Sequence, residues 1–145
     1  MKKEKAIKML LVDDREGNVL IPELENNGFE CKVVRMTCGD YVYKNIGFER
    51  KTIDDFCESI IDGRLDNQIE VMKEVYNWVF VLISGRIGDR KSKINDNAII
   101  GKVVSLLVRY KVFVLFADDE KQMAYMIRNI VDKIDDNQSM VNYII

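Results

Sequence analysis

Asp40 and the tripeptide Glu49-Arg50-Lys51 are the residues of this 145-residue chain whose types and spacing best suit chemistry. Hydrolysing a phosphodiester needs a hard cation to offset charge on the phosphate oxygens and to activate water, and carboxylates at the ends of neighbouring strands hold Mg²⁺ well. A hairpin over residues 41–48 would return Asp40 and Glu49 to one end of a sheet, and an adjacent strand ending at Asp13 would add a third carboxylate. Residues two apart in a strand share a face, so Glu49 and Lys51 point one way and Arg50 the other. The Lys51 ammonium then reaches an attacking water or the scissile phosphate. The same charges also suit solvated strand ends, and spacing alone does not choose between the two.

Composition narrows the chemistry. The chain has no histidine, which removes the commonest general base and the commonest zinc ligand. Cys31, Cys38 and Cys57 are odd in number and lack CxxC spacing, so reduced, mostly buried thiols are expected in place of a disulfide framework or zinc site. Hydrolysis here must run on carboxylates, lysine and a hard cation. A net charge of −2 does not advertise a nucleic-acid binder. Basic residues nevertheless gather at Arg50-Lys51, Arg64 and the loop Arg86, Arg90, Lys91, Lys93, while acids crowd Asp118-Asp119-Glu120 and Asp132, Asp135, Asp136, which permits one basic face. No apolar run approaches the roughly 18 residues of a membrane span, and the start MKKEKAIK leads into no leader-like segment. The expected compartment is cytoplasmic, with nucleoid association if the chain is prokaryotic.

The elements that would position these residues follow from periodicity. Met9–Val12 reads as a buried strand running into the polar turn 13–18, and a helix from Val19 carries Pro22 in its first turn and stops at Asn26-Asn27-Gly28. Cys31–Met36 and Tyr41–Tyr43 read as strands, with a turn at Asn45 and Gly47 before Phe48–Lys51. Thr52 caps a helix ended by Asp62-Gly63, and a second helix starts at Leu65. Trp78–Ile83 and Val112–Phe116 are apolar strands. The long polar loop 86–95 separates the first of them from a helix capped by Asp96 or Asn97, and a final amphipathic helix carries Met123 to Ile134. Strands alternating with helices imply an α/β sandwich around a mixed sheet, as one domain over 1–145, the ending VNYII being too short for another.

The wider text resembles the nuclease domain of the XPF/Hef family of structure-specific endonucleases. The matching segments are Val12-Asp13-Asp14-Arg15-Glu16, Gly39-Asp40-Tyr41, Glu49-Arg50-Lys51-Thr52-Ile53-Asp54-Asp55-Phe56, then Ser59 to Leu65 and Gln68, in the family's order, with Asn97 to Gly101 later. The resemblance implies a restriction-endonuclease-like three-layer α/β/α sandwich with a central mixed sheet. It also implies Asp13, Asp40 and Glu49 as metal-side carboxylates for Mg²⁺, with Mn²⁺ substituting, and the Arg50 carbonyl as a further donor. Lys51 would orient or activate the nucleophilic water, completing a catalytic set of Asp13, Asp40, Glu49, Arg50 and Lys51. Arg15, Glu16, Arg50, Asp55, Arg64 and Gln68 would support the site or touch phosphates. Asp14 and Asp54 fall at variable positions of the pattern.

For the supporting residues other roles stay open. Asp62 and Arg64 also suit a solvated pair, Gln68 a solvent-facing residue, and the loop from Arg86 to Lys93 either a plain connection or a phosphate contact. By resemblance the activity is metal-dependent cleavage of one strand of branched DNA, such as a flap or fork, in DNA repair or fork processing. The rivals are a non-catalytic DNA-binding or dimerisation module of the same family, and a junction resolvase or restriction-type nuclease. Neither a helix-hairpin-helix domain nor a helicase region is expected in this chain, so a separate DNA-binding or clamp partner is a further expectation. The family's pairing mode implies a homodimer through the helices near 97–110 and 118–135.

Overall fold

The computed structural model describes residues 6–144, with side chains as far as Asn137. The MKKEK start and the side chains of the VNYII ending lie outside the described residues. In the first strand, β1 (Lys8–Asp13), Leu10 and Val12 are fully buried on one face and Leu11 packs on the other. The chain continues through α1 (Ile21–Asn26), β2 (Phe29–Val34), β3 (Tyr41–Tyr43), β4 (Ile46–Thr52), α2 (Ile53–Ile61), α3 (Arg64–Val75), β5 (Trp78–Ser84), α4 (Asp96–Tyr110), β6 (Phe113–Ala117) and α5 (Glu120–Ile144). The strands lie in the order β2-β1-β3-β4-β5-β6. β1 and β2, β4 and β5, and β5 and β6 pair in parallel, while the short β3 is antiparallel to both β1 and β4.

Both faces of the sheet are covered, which is why β5 is apolar nearly throughout. On one face Leu10, Tyr41, Phe48, Phe80 and Leu82 meet Leu24 of α1 and Met123, Ile127 and Val131 of α5. On the other, Val42, Val79, Val81 and Ile83 meet Phe56 and Cys57 of α2, Leu65, Ile69 and Met72 of α3, and Ile99 and Leu106 of α4. This is the expected three-layer sandwich. Among the described residues no helix is long and apolar enough to cross a membrane.

The start of β1 is tied to α5. Lys8 Nζ donates to Asp132 (2.8 Å) and Asp135 (2.9 Å), and the Tyr43 hydroxyl donates to Asp135 (2.7 Å). Arg128, almost wholly buried, donates to the carbonyls of Ala6 (2.7 Å), Asn27 (3.1 Å) and Gly28 (3.0 Å) and to Asp132 (2.9 Å). The acidic group read in the sequence at 132–135 is therefore gathered at the end of the sheet where β1 begins. Residues Ile100, Val104, Leu107 and Val108 on the outer side of α4 stay exposed, as does Leu115 on the edge strand β6.

Several boundaries differ from those the sequence suggests. The strand expected at 31–36 is Phe29–Val34, because parallel pairing matches Lys8 to Phe29 and Asp13 to Val34, so β2 ends where β1 does. The helix expected from Val19 begins at Ile21, after Leu20 as its cap. The strand expected at 112–116 is Phe113–Ala117, since the Val112 N–H bonds back to Leu106 at the end of α4. The cap of α4 is Asn95, whose side chain accepts from the Asn97 N–H (2.8 Å), so neither Asp96 nor Asn97 is the cap.

The β3–β4 turn is Lys44-Asn45, with Lys44 left-handed (φ 50°) and Tyr43 opposite Ile46. Gly47 is therefore not a turn residue. It lies inside β4 because the ring of Tyr76, the C-cap of α3, rests on it, and a Cβ there would sit 2.4 Å from that ring. Gly47→Ala should accordingly cost about 1–3 kcal/mol through forced overpacking. A lower urea midpoint at unchanged m-value checks this, and an unshifted midpoint counts against it.

Candidate active site

The backbone brings the sequence-predicted carboxylates together at one edge. The Asp13 N–H donates to the Asp40 carbonyl (2.9 Å) and the Asp40 N–H to the Phe48 carbonyl (2.9 Å), so the ends of β1, β3 and β4 lie side by side. Gly39, at φ +85°, turns the chain into Asp40, and the loop before it is pinned by the Tyr76 hydroxyl on the Cys38 carbonyl (2.8 Å) and by Arg15 on the Met36 carbonyl (2.7 Å). A cleft of about 520 Å³ opens here, between this loop and α3. Asp13, Arg15, Asp40, Glu49 and Gln68 all line it.

Alternation along β4 sets what each side chain sees. Glu49 faces the cleft, and Lys51 shares its face at the strand's end. Arg50 points to the opposite face, where its Nε donates to Glu16 Oε2 (2.9 Å) beside the Tyr41 hydroxyl, which donates to the same oxygen (2.9 Å). The Arg50 backbone N–H donates to Asp40 Oδ2 (2.8 Å), so the residue serves the site through its main chain while its side chain fastens the sheet from behind.

Electrostatics separate the three carboxylates. Asp13 accepts from Arg15 Nε (3.0 Å) and Nη2 (2.6 Å), and those bonds hold its carboxyl below the usual range. Burial raises the carboxyl of Asp40. Burial, joined by the Asp40 charge, pushes Glu49 up to about 9, so a protonated Glu49 donates to Asp40. Two carboxyls this close in a partly buried site cannot both ionise cheaply. Lys51 favours the charged form of both, and it makes no hydrogen bond or ion pair among the described residues. Gln68 Oε1 is buried and has no hydrogen-bond partner.

Not every candidate joins the cleft. Glu16 and the Arg50 side chain lie on the other face. Asp55 is exposed in the first turn of α2, and Arg64 is exposed and paired with Asp62 (2.6 Å). Sequence reasoning passed over Tyr76, whose hydroxyl fixes the loop, and Asn67 and Cys38, which line the cleft. Tyr76 carries no pattern of its own, being the last apolar residue of a helical stripe. Gly39 directly before an acid was the one local sign of a tight turn. Among the described residues no three carboxylate or thiol groups stand together as a ready-made metal cage.

The family model described as the ERCC4 domain matches residues 12–130. The chain is 32% identical over 138 residues to the 3'-flap repair endonuclease Xpf of Saccharolobus solfataricus, covering 93% of this chain and 59% of that relative. It is 37% identical over 76 residues to the DNA repair endonuclease XPF of Dictyostelium discoideum, covering 51% of this chain and 8% of that protein. The structure of XPF from Aeropyrum pernix in complex with DNA superposes with a TM-score of 0.80 at 26% identity, over 90% of this chain and 66% of that one. The chain thus spans less than two thirds of the archaeal proteins it matches.

The Glu49 carboxyl gives a pH signature. Between its ordinary value of 4.5 and about 9, the native state keeps a proton that the unfolded chain releases. The stability tied to that proton is complete below about pH 4.5 and is lost as pH rises towards 9. The melting temperature of the metal-free chain should fall between pH 5 and 9, and Glu49→Gln, which cannot ionise, should flatten the fall. Equal slopes for the two proteins would contradict this.

Proposed function

The chain belongs to the XPF family, whose ERCC4 domain covers most of its length, and on that premise we propose that it is a divalent-metal-dependent endonuclease cutting one strand of branched DNA, at a flap or fork. The observation that carries this is the adjacent Asp40 and Glu49 in an open cleft, with Lys51 on the same strand face. The relatives named a 3'-flap endonuclease and a DNA complex support it.

The donor set suits a cation. Burial and the neighbouring Asp40 raise Glu49, a crowding of carboxyls that a bound divalent ion would relieve, and Gln68 Oε1, without a partner among the described residues, offers an acceptor to water in the same cleft. Asp40 and Glu49 would hold Mg²⁺, or Mn²⁺ in its place, with Asp13 and the Arg50 carbonyl as further donors. The bound ion would offset charge on the phosphate oxygens and acidify water. Lys51 orients the attacking water towards the phosphate. Arg15 keeps Asp13 ionised and presents its exposed side to the substrate, while Glu16 and Tyr41 hold Arg50, and through it β4, in register. Asp55 and Arg64, exposed and outside the lining of the cleft, would support the strand or touch DNA phosphates.

The same proposal includes a homodimer. Ile100, Val104, Leu107 and Val108 form an exposed apolar stripe on α4, while Leu115 of the edge strand is exposed on the opposite face of the sheet, the one α5 covers. A further DNA-gripping unit or clamp partner also belongs to it, because a net charge of −2 supplies little unspecific attraction to DNA.

With Mg²⁺ and labelled flap, fork, four-way-junction and linear DNAs, Asp40→Asn and Lys51→Ala should each lose roughly 10²–10⁴-fold in cleavage rate at unchanged circular dichroism. EDTA should abolish wild-type cleavage. Undiminished cutting by both variants would sink the reading, a four-way-junction preference would favour a resolvase, and binding without cutting a scaffold. Val104→Glu should shift the light-scattering mass from dimer to monomer, whereas a wild-type monomer at micromolar concentration would count against the dimer.

A further inference from the structure

The polar segment between β5 and α4 takes no part in the cleft, yet it is firmly built. At its start Gly85 is pressed against the N-terminus of α2, where an added Cβ would meet Ile53 Cγ2 at 3.0 Å. Farther on, Asp54 Oδ1 accepts from the backbone N–H groups of Lys91 (2.9 Å) and Ser92 (3.0 Å). Arg90 turns inward, donating to the carbonyls of Ile87 (2.6 Å) and Ile94 (2.8 Å) and pairing with Asp96. Arg86 is neutralised by Asp118 (3.0 Å), and Asp89 lies within electrostatic reach of it.

What the loop leaves unspent is Lys91 and Lys93. Both are exposed, and neither ammonium has a hydrogen bond or ion pair among the described residues. Of the acids beside them, Asp96 is paired with Arg90, and Asp54 is held by backbone N–H groups that leave its charge in place. The location matters as much as the charge. The β4–β5 register ends at Thr52 opposite Ser84, so the loop leaves the sheet at the end where Asp40 and Glu49 stand, and Asp54 is three residues beyond Lys51. Two exposed lysines with no ion pair of their own, beside the cleft, suit a polyanion, and a loop already ordered loses little entropy on binding one.

We propose that Lys91 and Lys93 form a second phosphate-binding site that grips the DNA backbone next to the strand in the cleft, with Asp54 as the positioning residue that holds the loop in place. This rests on the nuclease reading above. Asp54 earns its role by geometry against charge, since a carboxylate beside DNA should otherwise weaken binding.

The test is fluorescence anisotropy of the full chain with a labelled flap DNA in EDTA, from 50 to 200 mM NaCl, together with cleavage assays in Mg²⁺. Lys91→Ala/Lys93→Ala should weaken binding about tenfold or more and reduce the slope of log K against log salt by about 2. In cleavage it should raise KM while leaving kcat. Lys44→Ala/Lys133→Ala, at the opposite end of the sheet, should change neither. Asp54→Ala should weaken binding severalfold although it removes a negative charge, and Asp54→Asn, which keeps the acceptor oxygen, should restore it. Wild-type affinity and slope in the double lysine variant, with DNA still cut, overturn this inference and leave the nuclease reading standing, as does tighter binding by Asp54→Ala. A wild-type chain that neither binds nor cuts DNA sinks both.

Discussion

The Asp40 peptide is bonded on both sides, its carbonyl to the Asp13 N–H and its N–H to the Phe48 carbonyl, while its side chain takes the Arg50 N–H. Those bonds fix where β1, β3 and β4 end relative to one another. β3 is three residues long and, among the described residues, is the only strand antiparallel to both neighbours, so the parallel pairs on either side meet through it. Moving Asp40 by one residue would invert every side chain that follows on β3, sending Val42 away from α3 and the carboxyl away from Glu49.

The cost of this junction is electrostatic. Asp40 and Glu49 are forced together in a partly buried cleft, and Glu49 meets the crowding by keeping a proton well above its usual range. Asp13 avoids the same fate because Arg15 lies against it. The cleft is thus a place where the fold tolerates repulsion, and the supporting bonds from Tyr76, Arg15 and Arg50 surround that repulsion on three sides. Stability given up for local charge density is a pattern common to functional sites, and the proposed chemistry would draw on it.

How much of this was legible in the sequence depends on the range of the cause. The alternation that sends Glu49 inward and Arg50 backward is a local property of a strand, and it read correctly. So did the three-layer architecture, because two-sided burial leaves apolar runs such as Val79–Ile83. Partners distant in sequence were not visible. Gly47 looked like a turn glycine because nothing local reveals that Tyr76 will lie across it. β2 was displaced by two residues because its limits are set by pairing with β1. Asp54 falls at a variable position of the family pattern, and its bonds to Lys91 and Ser92 cross 37 and 38 positions. Of the site, the carboxylates and Lys51 were readable as residue types, whereas Asp13's attachment to Arg15 and the exposure of Arg64 and Asp55 outside the cleft needed coordinates.

Arg128 collects carbonyls from Ala6, Asn27 and Gly28, and Lys8 reaches Asp132 and Asp135, so one stretch of α5 closes loops of 100 to 127 residues. Contacts of such sequence separation form late, because the entropy of closing the loop is lost before any bond repays it. The strand that carries Asp13 is therefore secured by residues synthesised more than a hundred positions later. On a ribosome the edge that carries Asp13, Asp40 and Glu49 would wait, incomplete, until α5 emerged, and the order of translation would decide when the carboxylates first meet.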